Sequence, residues 1–335
     1  MPIMFLLLGV LCAQNAAASA SVDGGSKPQV KKVSLASKHR IVKKTRPSAH
    51  PSYGELAGLH GTEDPLSLRS SVVLVEDEST SDVLFAKNTH AVLPIASITK
   101  LMTALVVLDA RQPMDEMLQI ADEDIYTKKH SKSNLKVGVT LSRADMMHLA
   151  LMASENRAAS ALGRNYPGGI TAFVEAMNLK ARDLGMLSSH FVDATGFDSD
   201  NVSSAGDLVR LVKAVSAHPE IREFSTSPRY TVKVAGSKRN LAYRNTNGLV
   251  SSQEWDIGIS KTGYINEAGK CLVMLATIEG RKVVIVLLDA ISKGRRDMPR
   301  QADANRIRKW LEESLSSQKV SQSQPVVRFQ ASSGT

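Results

Sequence analysis

The stretch Leu93-Pro-Ile-Ala-Ser-Ile-Thr-Lys-Leu-Met-Thr103 organises the whole chain, because a predicted helix begins inside it with residues that can carry chemistry. Apolar residues recur with helical spacing from Ser97 to Asp109. Ser97 and Lys100 stand three residues apart, so the lysine amine can reach the serine hydroxyl on one helix face. A lysine can activate a serine if burial or another cation lowers the lysine pKa. The helix start would also offer backbone N–H groups to an oxyanion.

Two further short motifs follow the serine and lysine in chain order. Ser154-Glu-Asn156 comes after the apolar residues 149–153, a context that suits a loop projecting a hydroxyl and an amide into a cleft. Lys261-Thr-Gly263 ends the predicted strand Ile257–Lys261. A lysine, a hydroxyl and a glycine on such a strand would let a peptide-like substrate lie antiparallel to the backbone.

Single matches to these patterns are not specific, because each of the first two has a second match. Ser316-Ser-Gln-Lys319 repeats the first in a polar tail, and Ser199-Asp-Asn201 repeats the second in a turn-like stretch that we interpret as a surface loop. The joint signal is stronger, since the three motifs occur in order and each lies on the element that its role requires. The candidate site residues are Ser97, Lys100, Ser154, Asn156, Lys261, Thr262 and Gly263.

The predicted strands lie on both sides of a block of predicted helices. The strands are Val72–Val75, Val83–Phe85, Tyr230–Val234, Ile257–Lys261, Leu272–Ile278 and Val283–Leu288. The helices are Ser97–Asp109, Arg143–Leu162, Thr171–Leu184, Ala205–Ala217 and Gln301–Leu315. Glu279-Gly280 is a tight hairpin signal. This order predicts an α+β fold, with an antiparallel sheet formed from both ends of the chain, flanking helices and an inserted helical subdomain.

The positive charge is concentrated near the beginning of the chain. The 335 residues have a net charge of +9, and residues 21–50 hold eight Lys and Arg against one acid. A surplus confined to a tail is poor evidence for nucleic-acid binding, and we expect no nucleic-acid partner. Residues 27–46 could instead contact the anionic cell envelope, or could form a solvated spacer.

The composition along the chain predicts the domain boundaries. Residues 3–13 form an apolar run followed by small residues, as in a cleaved secretory signal peptide over 1–20. The run is shorter than the roughly 20 residues that span a bilayer, so an uncleaved anchor is the weaker interpretation. Residues 21–67 predict a basic disordered linker and 317–335 a disordered polar tail. The folded domain is expected at 68–316.

The two cysteines predict no disulfide. Cleavage near Ala18 or Ala20 would remove Cys12, which follows the bulky Leu11 and is therefore a poor lipidation site. Cys271 then remains alone, and one thiol cannot form an internal disulfide. Because Cys271 lies in an apolar run, we interpret it as a buried core residue rather than a catalytic thiol.

Together the motifs resemble those of the D-alanyl-D-alanine carboxypeptidase family of penicillin-binding proteins. The resemblance runs from about Ser70 to Ala304. Further family-like stretches are Leu93–Thr103, Ser133-Asn-Leu-Lys-Val-Gly138, Leu184-Gly-Met186, His190-Phe-Val-Asp-Ala-Thr-Gly196 and Ser204-Ala-Gly-Asp-Leu208. The resemblance implies a β-lactamase/transpeptidase-like fold and a penicillin-binding catalytic domain. It also implies serine chemistry that needs no metal or other cofactor.

The resemblance assigns roles to the first two motifs. A D-alanyl carbonyl would acylate Ser97, and water would then hydrolyse the acyl-enzyme. Lys100 would be the base, and Ser154 would relay a proton to the leaving amine. Asn156 would orient the substrate amide and Lys100.

The third motif would bind the substrate. Lys261 would supply positive field and help to depress the pKa of Lys100, while the N–H groups of Ser97 and Tyr264 would form the oxyanion hole. The position two after Gly263 is Ile265, where many relatives have a hydroxyl residue that holds a terminal carboxylate. A cross-link donor has a peptide bond there, so Ile265 favours endopeptidase activity.

The predicted layout is similar to that of the short D-alanyl-D-alanine endopeptidases of the penicillin-binding protein 7 type. We therefore expect a periplasmic enzyme that cleaves peptidoglycan cross-links between stem peptides and is acylated by β-lactam antibiotics. A carboxypeptidase that trims pentapeptides is the alternative. A class A β-lactamase would need a glutamate for deacylation, but Glu175 lies in a helical segment and Glu220 and Glu223 come too late. A catalytically dead wall-binding protein is disfavoured because every motif residue is present.

Overall fold

The computed structural model describes residues 50–126, 133–234, 240–292 and 297–323. The predicted signal peptide over 1–20, the basic segment 27–46 and the predicted tail beyond residue 323 lie outside these described residues. Over the described ranges, no helix is both long enough and apolar enough to cross a membrane.

The longer strands lie in two groups near the ends of the described chain, and most helices lie between these groups. The α-helices are α1 (Tyr53–Leu56), α2 (Lys100–Asp109), α3 (Arg143–Met152), α4 (Asn156–Arg164), α5 (Gly169–Asp183), α6 (Ala205–Ser216), α7 (Pro219–Thr226) and α8 (Pro299–Ser323). Short 3-10 turns lie at Leu59–Gly61, Ala96–Thr99, Asp122–Asp124 and Gly248–Ser251. The strands are β1 (Ser70–Asp77), β2 (Val83–Lys87), β3 (Leu93–Pro94), β4 (Met117–Gln119), β5 (Thr140–Ser142), β6 (Val202–Ser203), β7 (Arg229–Lys233), β8 (Asn240–Arg244), β9 (Asp256–Ile265), β10 (Gly269–Ile278) and β11 (Arg281–Ala290).

Strands from both ends of the chain form the main sheet. Its order is β2-β1-β11-β10-β9, and neighbouring strands are antiparallel. The predicted α+β fold is therefore confirmed. Glu279 and Gly280 join β10 to β11 with φ values of 49° and 80°, as a type I′ turn requires. β9 lies at the edge of this sheet and packs against α7 and the turn Ala96–Thr99.

The two faces of the main sheet bury separate cores, because successive strand side chains point to opposite faces. Val72 and Leu74 of β1 belong to the core that includes residues of α2 to α7. Val73 and Val75 of the same strand belong to a second core with Ile307 of α8. The helical block therefore covers one face of the sheet, and α8 covers the other.

The ordered domain begins earlier than predicted. Residues 50–67 are predicted as part of a disordered linker, but Ser52 and Glu55 form a capping box at the start of α1. His60 Nε2 lies 2.8 Å from Oδ2 of the buried Asp289 on β11. The linker prediction is wrong for residues 50–67, because polar contacts rather than an apolar periodicity attach this segment to the sheet.

Other elements differ from the predictions in extent or number. The single predicted helix Arg143–Leu162 is two helices, α3 and α4, with a break between them. α8 extends to Ser323, beyond the predicted start of the polar tail at residue 317. The short elements α7 and β8 were not predicted, since neither carries a long apolar period.

Candidate active site

Ser97 lies on the 3-10 turn Ala96–Thr99, which connects β3 to α2. Ala96 has φ +48°, a region that few residues with a Cβ adopt. Two hydrogen bonds hold this turn. Ile95 N donates to Asn201 O at 3.0 Å, and Thr99 Oγ1 donates to Ala96 O at 2.9 Å. The turn therefore presents the half-buried Ser97 side chain in a fixed position at the start of α2.

Two glycines allow other parts of the backbone to approach this turn. Gly196 has φ +74°, and a Cβ there would lie 1.9 Å from Ala96 O. A Cβ on Gly263 would lie 2.8 Å from Ile95 O and 3.2 Å from Ser97 N. Glycine is therefore required at both positions, and its absence of a side chain brings β9 against the Ser97 turn.

Lys100 is the first residue of α2, and only 1% of it is exposed. Its Nζ lies 2.8 Å from Ser97 Oγ, 2.7 Å from Asn156 Oδ1 and 2.6 Å from Thr195 O. The two carbonyl oxygens can only accept hydrogen bonds. A neutral amine that donates both hydrogens to them keeps its lone pair for the Ser97 hydroxyl.

Burial lowers the pKa of Lys100 from 10.5 to about 7, because the ammonium form loses hydration. The carboxylates of Asp193 and Glu155 act in the opposite direction and favour the ammonium. Asp193 is itself fixed, since its Oδ1 accepts from the N–H groups of Thr195 and Gly196 at 2.6 Å each. The free amine of Lys100 is therefore accessible near neutral pH, which an ordinary lysine would not allow.

The second motif lies at the break between α3 and α4. Ser154 follows the end of α3 with φ +58°, and Asn156 is the first residue of α4. Asn156 Oδ1 accepts from Lys100 Nζ, and Ser154 Oγ accepts from Lys261 Nζ at 2.9 Å. A continuous helix could not place both side chains in this way, so the break brings the second motif between the other two.

Lys261 is the second buried amine of the site, with 1% of the residue exposed. Its Nζ donates to Ser154 Oγ and to Thr262 O, the latter at 2.8 Å. Burial lowers its pKa well below 10.5, and the charges of Lys100 and Arg300 lower it further. Burial is the main cause of the lowered pKa of Lys100, and the repulsion between the two lysines is reciprocal, so a charged Lys261 also disfavours the ammonium form of Lys100.

The remaining residues of the third motif are buried, and the next residue, Tyr264, is exposed. Thr262 is buried, and its Oγ1 pairs with Thr246 Oγ1 at 2.7 Å. Tyr264 is 57% exposed, and its hydroxyl donates to Asn266 Oδ1 at 3.0 Å. The peptide bond between Gly263 and Tyr264 therefore comes immediately after the residue at which β9 approaches Ser97.

Comparisons with known proteins agree with this geometry. Residues 60–292 match the model of the D-alanyl-D-alanine carboxypeptidase family, peptidase family S11. A D-alanyl-D-alanine endopeptidase of Pseudomonas aeruginosa is 48% identical over 245 residues, which are 73% of this chain and 78% of the relative. An Escherichia coli protein of the same name is 42% identical with the same coverage. The Streptomyces K15 DD-transpeptidase structure has a TM-score of 0.67 at 27% identity and covers 74% of this chain and 98% of its own.

The chain belongs to the D-alanyl-D-alanine carboxypeptidase family. The predicted family, the β-lactamase/transpeptidase-like fold and the enzyme class, a serine-type D-Ala-D-Ala peptidase, are therefore confirmed. All three motifs lie inside the matched region.

Two residues that were not among the candidates also contact the candidate site. Thr195 supplies a carbonyl oxygen to Lys100, and Arg300 Nη1 donates to Gly263 O at 2.9 Å. Thr195 could have been found from the sequence, because it lies in the family-like stretch His190–Gly196. Arg300 could not have been found in this way, because its contact joins α8 to β9, which are brought together only by the fold.

Two interpretations made from the sequence are wrong. Ile265 is only 5% exposed and packs in the core. Its side chain does not line the cleft, so it gives no information on whether the cleft binds a terminal carboxylate. Asn201 was interpreted as part of a surface loop, but it is fully buried and its Oδ1 accepts from Val192 N at 3.1 Å. Its carbonyl oxygen also holds Ile95, so Asn201 supports the Ser97 turn.

Cys271 is a buried core residue, as predicted. Its Sγ donates to Ala268 O at 3.3 Å, and burial raises its pKa to about 12. Within the described ranges, no group of three or more His, Cys, Asp or Glu side chains could hold a metal ion.

Proposed function

We propose that the protein is a periplasmic D-alanyl-D-alanine endopeptidase that hydrolyses peptidoglycan cross-links through an acyl-enzyme on Ser97. One observation carries the proposal: the buried Lys100 amine lies 2.8 Å from Ser97 Oγ and has a pKa of about 7. A lysine with such a pKa is matched to general base catalysis near neutral pH.

Acylation begins when Ser97 Oγ attacks the D-alanyl carbonyl carbon and Lys100 Nζ takes the hydroxyl proton. The C–N bond to the leaving amine then breaks, and the proton passes from Lys100 to that amine through Ser154. In the second step, water attacks the ester, the product leaves with a carboxyl group, and Ser97 regains its proton. The position of Ser154 beside Lys261 supports the relay, because the lysine keeps the hydroxyl oriented.

The substrate would lie along β9. The N–H groups of Ser97 and Tyr264 would bind the oxyanion, since the close approach at Gly263 brings the two backbones together. Asn156 would orient the substrate amide from the opposite side of the cleft. Lys261 and Thr262 would bind the substrate through their charge and hydroxyl, and Gly263 would keep the β9 backbone close to Ser97.

Cross-link cleavage, rather than trimming of a terminal D-alanine, is supported by the names of relatives at 48% and 42% identity. The deciding experiment incubates the purified protein with dimeric, cross-linked muropeptides and with monomeric pentapeptides. We expect dimers to become monomers, and the Ser97→Ala variant to leave them intact. Release of free D-alanine from pentapeptides, with intact dimers, would instead establish the carboxypeptidase alternative.

Acylation by β-lactam antibiotics is the second part of the proposal, because a strained amide can react with Ser97 in the same way as a D-alanyl peptide. A fluorescent penicillin should label the wild type stably and should not label Ser97→Ala. Rapid turnover of the penicillin without a stable adduct would indicate a β-lactamase.

The periplasmic location is supported by the predicted signal peptide over 1–20, and envelope contact by the eight basic residues of 27–46. Cell fractionation would test the location. Deletion of residues 21–49 should weaken salt-sensitive binding to sacculi and leave hydrolysis of soluble dimers unchanged. Lost hydrolysis of soluble dimers would contradict a role confined to binding.

A further inference from the structure

The hairpin formed by β7 and β8 exposes a row of positive charges. Its outward side chains include Arg229, Lys233 and Arg244, which we call the cationic face. Arg229 and Arg244 are direct cross-strand partners, an arrangement that is destabilising for like charges. The sequence from Arg229 to Arg244 contains no Asp or Glu. None of the three cations forms a salt bridge with another described residue.

The opposite side of the hairpin is anchored to the domain. Val232 and Tyr243 are buried, and the Tyr230 hydroxyl donates to Asp145 Oδ1 of α3 at 2.6 Å. The Tyr230 ring also stacks on His148, with 3.8 Å between ring centroids. The cationic face therefore lies on a packed hairpin. Contacts on the opposite side of the hairpin offset the repulsion between its positive charges.

The hairpin leads directly into the active site. Two residues after Arg244, Thr246 N donates to Met152 O at the end of α3, and Thr246 Oγ1 pairs with Thr262 of the third motif. At about 3.3 Å per extended residue, Arg244 lies roughly 7 Å along the chain from Thr246. The cationic face therefore lies within a few residues of the segment that contacts the third motif.

We propose that the cationic face is a docking surface for the carboxylates of peptidoglycan stem peptides outside the catalytic cleft. This inference rests on the proposed function, because a cross-linked wall offers many such carboxylates around each scissile bond. Arginine pairs with carboxylates in a bidentate geometry. The other outward residues, Thr231, Asn240 and Ala242, are small or polar. A surface that inserts into lipid would need large apolar side chains, so the wall fits better than a membrane.

The test measures binding separately from catalysis. The full-length Ser97→Ala protein, alone and with Arg229→Gln and Arg244→Gln, is pelleted with purified sacculi over a range of salt concentrations. We expect roughly fivefold weaker binding of the triple variant at low salt, and a difference that disappears at high salt. Arg229→Lys with Arg244→Lys keeps the charge but lacks the bidentate geometry, so its binding should fall between those of the Gln variant and the parent. Lys282→Gln with Lys309→Gln, which removes two exposed cations from β11 and α8, is the matched control.

Three outcomes would overturn the inference: equal binding of the Gln variant and its parent, an equal loss in the matched control, or a loss on anionic phospholipid vesicles but not on sacculi. The thermal unfolding temperature of the Gln variant should be unchanged or slightly higher, since the like-charge pair is removed. In the Ser97 background, hydrolysis of soluble dimers should change less than twofold. If wild type fails to cleave dimers while binding still depends on the cationic face, the endopeptidase proposal fails but the docking surface stands.

Discussion

The two faces of the main sheet are built from the same strands but bury different kinds of side chain. On the α8 face, apolar side chains fill the core, and the buried Asp303 accepts from the N–H groups of Arg69 and Ser70. On the other face, the site buries the amines of Lys100 and Lys261 at 1% exposure. Burial of an amine opposes its charged form, so the catalytic face gives up stability for reactivity. The α8 face mainly supplies stability, and it touches the third motif through Arg300, which donates to Gly263 O.

The largest effect on the catalytic face should come from Lys100→Ala. Without its base, Ser97 loses general base catalysis, and acylation by a fluorescent penicillin should slow by about 10²–10⁴-fold. Stopped-flow or gel-based labelling would measure this rate. Lys309→Ala on α8, which removes an exposed lysine, should label at the wild-type rate. Labelling of Lys100→Ala within threefold of wild type would show that another group is the base.

Gly196→Ala should damage the site through the backbone alone. The new methyl would lie 1.9 Å from Ala96 O at a position with φ +74°, so the Ser97 turn must move. A displacement near 1 Å can cost about 100-fold in rate, and we expect a loss of that order in labelling. Gly248→Ala is the control, because a Cβ there meets no atom within 4 Å. Equal rates for the two variants would mean that the turn tolerates the contact.

The pH dependence of acylation should report the buried amine. The pKa of Lys100 is lowered to about 7, and the free amine is the reactive form. Acylation should therefore rise with pH up to about 7 and fall about tenfold per unit below it. Labelling rates between about pH 3 and 9, with circular dichroism to show that the fold persists, would measure the profile. A limb near pH 4 to 5 would point to a carboxylate instead.

On the α8 face, substitution should change stability and leave chemistry almost untouched. Ile307→Ala removes a fully buried side chain and should lower the free energy of unfolding by about 2–5 kcal/mol. Denaturant unfolding would measure this loss, while the labelling rate per folded molecule should stay within twofold. The exposed Lys309→Ala serves again as control, with a change within about 0.5 kcal/mol. A large loss of labelling in Ile307→Ala would show that the two faces are coupled.

Much of the fold could be predicted because its signals are local. Alternating or continuous apolar runs marked the strands of the main sheet, and helical spacing marked α2, α5 and α6. Predictions failed where distant contacts override local preference. The polar segment around His60 is ordered by Asp289 on β11. The apparently continuous helix breaks at Ser154, where Lys261 and Lys100 contact the residues of the second motif.

By itself, the sequence determined the family, the order of the elements and the identity of the motif residues, because these are read from residue type and spacing along the chain. Only the tertiary structure brings one match of each motif together: it buries Lys100, places Ser154 beside Lys261, and packs Ile265 in the core. It also places Arg300 and Asn201 in contact with residues of elements that lie far from them in the chain. The physical reason is that burial and proximity determine the pKa of an amine and the approach of a nucleophile, and both depend on the packing of distant segments.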